Sequence, residues 1–394
     1  MAKKSFLGVD IGTSAIKLVE LADKNGQPSL VTYGYAESQT DLVRSNSQAT
    51  VQQVAKILKA LVKKARVSTT RSIAALPTFA VFNSIISLPK MSRKDLSAAV
   101  RWEAKKFIPL PIDEMILDWK VLAESRKNVL PDGLFSRDLS GLLQKKKTED
   151  EEMSQEDKDK QEKKKSIQEQ KALAKANKAV SKDNIRILLT AAPKNLVVKY
   201  IEVFKEAGLD LISLETEAFA LARSLIGNDQ TTTMIVDIGS LSTDIVIIEK
   251  GVPILNRGID IGGYTITKAI MDSLNVSEAR AEQFKIDFGV MLEDRSKGVP
   301  KTIVDSLQPI INEIKYVFDL YQNQGTMRVE KIVLSGGSAF LPNLPDYLID
   351  LLQIQTIIGN PWDRIIYPLD LKPVLDSVAP QMAAVIGLAM RDIQ

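Results

Sequence analysis

The chain carries one unit twice, and this duplication constrains the fold more than any other feature. Near the start, an apolar run leads into Asp10, Ile11, Gly12, Thr13 and Ser14, and a second β-rich run follows. Far downstream, Met234, Ile235 and Val236 lead into Asp237, Ile238, Gly239, Ser240, Leu241, Ser242 and Thr243, again followed by a β-rich run. Each copy continues through a turn, at 24–27 in the first and 249–251 in the second, into a third strand. Such a repeat means two halves that open with the same β-hairpin.

The chemistry of the unit is legible. Glycine and small residues at a hairpin tip let backbone N–H groups approach an anion closely. Thr13, Ser14, Ser240 and Thr243 add hydroxyls, and Lys17 adds a point charge for the same target. The carboxylates of Asp10 and Asp237 repel phosphate oxygens directly; they become useful once Mg²⁺ or its water shell lies between. Two such tips facing one another would clamp a polyphosphate from both sides. One Asp-x-Gly is commonplace in hairpin turns; two copies in matched strand contexts carry the argument. Neither a Walker A pattern nor a Gly-x-Gly-x-x-Gly after a suitable strand is present. A third piece, 331–344, reads as a buried strand, a turn at Gly336, Gly337 and Ser338, then a helix. Its glycines allow a flat base or sugar to lie against bare backbone, although alone it would be a plain strand-to-helix turn.

Composition narrows the chemistry. At 394 residues and 45% hydrophobic, the chain predicts two globular domains. A net charge of +3 argues against a nucleic-acid footprint. With no cysteine and no histidine, disulfides, thiolate catalysis and zinc–cysteine sites are excluded, and the commonest general base is missing. Carboxylates, lysine, hydroxyls or an oxygen-liganded ion such as Mg²⁺ must do any chemistry. No run of about 18 apolar residues suggests a transmembrane helix, and the first residues do not read as a secretory signal. The expectation is a cytoplasmic protein.

Along the chain, the segment 145–184 is dense in both charge signs and poor in apolar residues. It cannot offset its own ordering entropy. A surface-loop insertion, helical in part over 166–180, is preferred over a docking arm or a solvent-spanning helix. Elsewhere α and β alternate. Residues 50–66 have helical spacing, with Val51, Val54, Ile57, Leu58, Leu61 and Val62 on one face. The lysine-rich opposite face reads as the solvated side of a helix packed on a sheet, ahead of a membrane-surface helix. A second helix spans 92–107, opened by Ser92 as N-cap and closed before Pro109. A strand at 185–191, a helix at 196–207 stopped by Gly208, a strand near Leu211 and a helix from about Glu217 follow.

The two hairpins and the strand ending in Ser335, Gly336 and Gly337 resemble the actin, Hsp70 and sugar-kinase superfamily. Within it the chain is similar to the PilM family of type IV pilus assembly proteins, relatives of the cell-division protein FtsA. Residues 88–96 and 101–113, Thr190 to Lys194, Ala218 to Arg223, Asn360 with Pro361 and Trp362, and 379–389 carry that likeness. It covers nearly the whole chain apart from the charged insert.

The resemblance implies an α/β fold of the actin/Hsp70 type: two domains around a nucleotide cleft, with an inserted subdomain of the PilM/FtsA kind. The first domain takes 1–85 and 194–229, the inserted subdomain 86–193, the second domain 230–369, and a C-terminal helix at 370–394 returns to the first domain. It implies ATP and Mg²⁺ as ligands. Asp10, Gly12, Thr13, Ser14 and Lys17 match the first phosphate motif, and Asp237, Gly239, Ser240 and Thr243 the second. Gly336, Gly337 and Ser338 match the adenosine motif, and Gly263 begins the adjoining contact. Asp10 and Asp237 would hold Mg²⁺ through water. Glu282 and Lys285, on a helix at 277–286, match the pair that meets ribose and base; an exposed i,i+3 salt bridge is the competing reading. Glu217 lies where hydrolysing relatives orient a water, with Glu215 the alternative and helix capping open to either. Weak or absent hydrolysis is expected. The implied partner is the cytoplasmic N-terminal tail of PilN, bound between the first domain and the inserted subdomain, in a platform with PilO at the inner membrane. The end of the chain lacks the basic amphipathic tail of FtsA, which argues against a division role. A sugar-kinase-like phosphotransferase and a PilM-like component of a related secretion system are the alternatives, and head-to-tail self-association is left open.

Overall fold

In this computed structural model the described residues are 4–38, 42, 44, 45, 47–108, 110–122, 184–290, 298–324 and 328–393. The first repeat folds as an antiparallel meander of β1 (Ser5–Ile11), β2 (Ala15–Lys24) and β3 (Gln27–Glu37). β1 is apolar on both faces and buried on both, as a central strand covered by helices must be. The sheet grows by parallel addition of β4 (Arg71–Leu76) and β8 (Asp210–Thr216), giving the order β3-β2-β1-β4-β8. The second repeat does the same. β9 (Thr233–Ile238), β10 (Thr243–Glu249) and β11 (Val252–Ile259) form the meander, and β12 (Lys331–Ser335) and β13 (Gln355–Ile358) extend it in the order β11-β10-β9-β12-β13. The duplication therefore extends from the hairpins to two whole sheets.

Helices cover both faces of the first sheet. α1 (Gln48–Lys64) starts at Ser47, whose hydroxyl accepts from the Ala49 N–H, and presents the expected apolar face. Val51, Val54, Leu58 and Leu61 are buried and Ile57 and Val62 half-buried. α3 (Lys194–Ala207) packs beside it and ends at Gly208, so Tyr200 and Phe204 join Leu7, Val9 and Leu58 in one core. The opposite face of the sheet meets α10 (Ala383–Met390), which buries Val385, Ile386 and Leu388 against Phe6, Val19 and Ile73.

A smaller sheet, β5 (Phe82–Pro89), β7 (Asn184–Pro193) and β6 (Met115–Leu122) in the order β5-β7-β6, is closed by α2 (Arg93–Ala104). Ser92 caps α2 by accepting from the Asp95 N–H at 3.3 Å. Leu96 and Val100 then meet Ile86, Ile187 and Leu189. The charged segment expected at 145–184, with its helix at 166–180, lies outside the described residues except for Asn184, which opens β7.

The two large sheets are joined through α4 (Glu217–Leu221), its π-helical continuation Ala222–Ile226, and α10. Ala383 and Ala384 of α10 share a core with Ala218, Ile235, Val246 and Val333, so this helix touches both halves. A side chain at Gly387 would put its Cβ 1.9 Å from the Ala220 carbonyl oxygen; only glycine permits this approach. A buried ion pair fixes the junction. The Arg223 guanidinium donates to both Glu215 oxygens, at 2.8 and 3.0 Å, and to the Gly387 carbonyl at 2.5 Å. Both side chains are at most 2% exposed. Among the described residues no single helix is long and apolar enough to cross a membrane; one bent pair ending in α10 passes by length and composition. In that pair, the α10 segment is core.

Removing one partner of a buried ion pair leaves the other charge uncompensated. Arg223→Ala is expected to destabilise the fold by about 3–5 kcal/mol, read from the midpoint of chemical denaturation. A change below about 1 kcal/mol would mean that the pair does not hold the junction.

Candidate functional site

The tips of the two hairpins face each other between the halves, and both are built the same way. The Gly12 N–H donates to the Ala15 carbonyl at 3.0 Å, and the Gly239 N–H to the Ser242 carbonyl at 2.9 Å. Between them lies a cavity of about 450 Å³. Asp10, Ser14, Lys17, Glu217, Asp237, Gly239, Ser240, Gly263, Glu282, Lys285, Gly336, Gly337 and Ser338 line it, all of them expected from the sequence. A smaller chamber of about 80 Å³ adjoins it on the hairpin side, where Gly12 and Thr13 are found. Phe79 closes part of its wall.

Thr243 corrects the expectation. The second phosphate motif as it reads in the sequence includes this residue, yet it lines neither space, and its hydroxyl donates to the Ile261 carbonyl at 2.6 Å. The reason is the strand period of two. Thr243 pairs with Ile238 and Asp244 with Asp237, so it is Asp244 that shares the cleft face with Asp237. The repeat held this signal. Asp10 pairs with Lys17 across β1 and β2, and at the same spacing Asp237 pairs with Asp244 across β9 and β10. Asp244 stands where the first half has its lysine.

That exchange sets the electrostatics. The Lys17 ammonium lies 3.2 Å from Asp10. Burial disfavours its charge, but Asp10 and then Asp237 outweigh burial and hold its pKa above the usual value. Burial pushes Asp237 up to about 6, against the pull of Lys17. Asp244, buried and then repelled by Asp237, is pushed up to about 8. Burial, followed by repulsion from Asp244, Asp10 and Asp237, raises Glu217 well above the carboxylate range. Asp244 Oδ1 is buried without a hydrogen-bond partner.

Glu217, at the first turn of α4, accepts from the Thr78 N–H at 3.2 Å and its hydroxyl at 3.3 Å while facing both spaces. Glu215, weighed as its alternative, points away into the ion pair with Arg223. Carboxylates, hydroxyls and tip amides are the donors that a hard cation and a polyphosphate take. Among the described residues no three acidic groups could ligate a metal by themselves. A cation here would be held by water and phosphate oxygens, with Asp10 and Asp237 as the carboxylates.

The far end of the cavity has a different character. α5 (Gly263–Leu274) is tied to the second tip by the Gly263 N–H to Gly239 O at 2.9 Å and the Tyr264 N–H to Ser240 O at 2.8 Å. On α6 (Glu278–Phe288), Glu282 accepts from Lys285 and from the Thr267 hydroxyl, both at 2.8 Å. Lys285 also donates to the Thr267 hydroxyl at 3.0 Å and the Gly263 carbonyl at 3.3 Å. The i,i+3 pair exists, but as part of the cavity wall: Lys285 is only 13% exposed. Gly336 has φ of +82°, and a Cβ there would lie 2.3 Å from the Ile238 carbonyl oxygen, so the glycine is required. The next residue, Gly337, presents bare backbone with no atom within 4 Å of a Cβ position. Ile286 and Phe340 supply apolar surface at this end. The sequence reading missed them because α6 is only weakly sided and Phe340 lies past the glycine turn. Gln381 joins the wall because the Ser335 hydroxyl and the Gly336 N–H both donate to the Pro380 carbonyl, at 3.0 and 3.2 Å.

Comparison with known proteins agrees with this anatomy. The family model described as type IV pilus assembly protein PilM matches residues 8–133 and 172–393, leaving out most of the charged segment. A solved PilM–PilN type IV pilus biogenesis complex contains a chain 24% identical, with 98% of both chains covered and a TM-score of 0.74. Ethanolamine utilization protein EutJ from Carboxydothermus hydrogenoformans is 15% identical, with 99% of this chain and 90% of that one covered and a TM-score of 0.50. The actin-like α/β fold expected from the duplicated hairpins is thereby established. FtsA of Staphylococcus epidermidis is 22% identical over 213 residues, 49% of this chain and 46% of that protein. FtsA of Enterococcus hirae is 24% identical over 196 residues, 44% of each. The chain thus spans less than half the length of these relatives. With the model matched along most of its length and the paired hairpins at the expected places, the chain belongs to the PilM family of type IV pilus assembly proteins.

Proposed function

We propose that the chain binds ATP with Mg²⁺ in the cleft and serves as a component of the type IV pilus assembly platform, at the cytoplasmic face of the inner membrane. One observation carries the nucleotide reading. Two identically built tips, one bearing Asp10 and Lys17 and the other Asp237, face each other across a cavity of about 450 Å³ that ends at the bare backbone of Gly337. The triphosphate lies between the tips, with the amides of Gly12 to Ser14 and Gly239 to Ser240 as donors. Lys17 offsets phosphate charge, and Asp10 and Asp237 face the Mg²⁺ water shell. The nucleoside end lies between Gly336 and Gly337 on one side and Glu282, Lys285 and Ile286 on the other.

The partner is a PilN-type N-terminal tail, and through it a PilN–PilO complex. Family membership and the fold shared with the PilM–PilN complex support this assignment. Nucleotide closes the halves, and the tail selects among closure states to the extent that its affinity differs between them.

Turnover is slow. Of the four acids that line the hairpin-side chamber, Asp237, Asp244 and Glu217 have raised pKa values, and in the nucleotide-free protein Asp244, at about 8, holds a proton at neutral pH. In that form Asp244 cannot accept a proton from an attacking water. Glu217 is the residue placed to orient that water.

Three measurements test these assignments. By calorimetry, ATP–Mg²⁺ binds, and Asp237→Ala weakens it by at least about tenfold; equal affinity would remove Asp237 from the site. A synthetic PilN-type tail binds, and with an affinity that changes when ATP–Mg²⁺ is present; no binding to the nucleotide-loaded protein would defeat the pilus assignment. The third uses pH. A raised folded pKa in a carboxylic acid contributes stability below its unfolded value, and that stability is lost as pH rises through the folded value. The nucleotide-free protein should therefore lose thermal stability as pH rises through about 6 and about 8, the values of Asp237 and Asp244. Asp244→Asn should flatten the upper part of that profile; an unchanged profile would show that Asp244 does not titrate there.

A further inference from the structure

The solvent face of α1 has a composition that the cleft does not explain. Between residues 48 and 71 there is no acidic side chain, while Lys56, Lys59, Lys63, Lys64, Arg66 and Arg71 are all present and exposed. The first four return at helical spacing on the face opposite the buried stripe of Val51, Val54, Leu58 and Leu61. From Lys56 to Lys64 they run about 12 Å along the axis. The other exposed side chains of α1 are Gln48, Ala49, Gln52, Gln53 and Ala60, so no large apolar group stands on this face.

Local structure accounts for only part of this charge. Lys63 and Lys64 lie in the last turn, where cations complement the helix dipole; Lys56 and Lys59 do not. None of the four is held in an ion pair among the described residues. The acid beneath this end of the helix, Glu20, is already buried and accepts from the Ser68 N–H and hydroxyl. The neighbouring α3 carries both signs and does not neutralise the face. Past the helix the Lys4 ammonium and the Arg71 guanidinium lie 5.0 and 5.2 Å from the Phe6 ring centroid, beside the acids Asp23 and Asp210, so the unmixed positive charge is confined to α1.

We propose that this lysine face rests against an anionic lipid surface. Charge complementarity selects the class of partner, and the kind of charge selects within it. Lysine is depleted at the cores of protein interfaces, which favour aromatic side chains and arginine. Single-stranded nucleic acid is held by stacking on aromatic side chains, and no aromatic stands on the α1 face. Compact, strongly hydrated ammonium groups suit a diffuse attraction to anionic headgroups, which acts within a Debye length and needs no fixed geometry. Without an apolar wedge the contact stays at headgroup level. The inference rests on the proposed position beside the inner membrane: a chain held there by a partner's tail meets lipid at high effective concentration, so a weak surface attraction is enough to orient it.

The test uses the full chain in co-sedimentation with phosphatidylethanolamine–phosphatidylglycerol vesicles and with phosphatidylcholine vesicles. Binding to the anionic vesicles alone, lost by about 0.5 M salt, is expected. The variant Lys56→Gln/Lys59→Gln/Lys63→Gln/Lys64→Gln should bind them at least about a hundredfold more weakly. Lys250→Gln/Lys268→Gln/Lys301→Gln/Lys315→Gln has the same change in net charge and should bind as the parent does. Equal loss in both variants, or no anionic binding by the parent, overturns the proposal. So does preferential binding of duplex DNA or an acidic polypeptide that only the α1 variant loses. Calorimetry with the PilN-type peptide on the same α1 variant separates the two readings. Retained peptide binding with lost vesicle binding supports both, whereas vesicle binding without peptide binding would leave the lipid surface and remove the pilus partner.

Discussion

The register of the two hairpins is the constraint on which the site depends. In β1 and β2 the pairing sets Asp10 opposite Lys17, and in β9 and β10 it sets Asp237 opposite Asp244. A slip of one residue would turn every one of these side chains to the other face of its sheet. The registers are held because the alternate faces are core: Ile16, Leu18, Ile245 and Ile247 are fully buried, and exposing them would cost far more than the tip chemistry returns. Hydrophobic pattern thus places the polar site without any polar residue having to direct it.

The result is a charge imbalance in a confined space. Four carboxylates, those of Asp10, Asp237, Asp244 and Glu217, share the region with the Lys17 ammonium. Buried like charges raise one another's pKa values, and a cation would relieve them. The hydroxyls and amides of the tips favour anions and the carboxylates favour cations. A magnesium–polyphosphate complex satisfies both demands, whereas either ion alone satisfies one. On the proposed reading, selectivity would come from this balance and not from a single diagnostic side chain.

α10 gives the cleft its mechanical backing. It is apolar all round because it is covered all round, by the first sheet on one side and by α4 and the second sheet on the other. The Arg223 guanidinium ties it to β8 through Glu215 and the Gly387 carbonyl. A single residue, Thr216, separates Glu215, which holds this junction, from Glu217, which faces the cleft. Other contacts span the halves at the surface: Arg44 pairs with Asp260 and stacks over Phe79, and Arg186 lies 3.9 Å from Glu249. These exposed pairs are weak and salt-screened beside the buried junction.

The sequence by itself determined the duplicated meander, the strand-turn unit around Gly336, the caps at Ser92 and Gly208, and the charged and glycine residues that line the cavity. These are local matters of strand period, turn residues and apolar spacing, and local patterns survive in a linear reading. Tertiary structure alone decided which hydroxyl and which acid face the cleft. Thr243 matched the phosphate motif by composition, but pairing with Ile238 turned it toward Ile261 and gave the place to Asp244. Glu217 is the preferred acid in the sequence with Glu215 the alternative, and burial of Glu215 against Arg223 separates them. Gln381 joined the wall because the Pro380 carbonyl accepts from Ser335 and Gly336, a contact between segments distant in the chain. The direction of a side chain depends on what packs against the other face of its strand or helix, and only the folded chain supplies that partner.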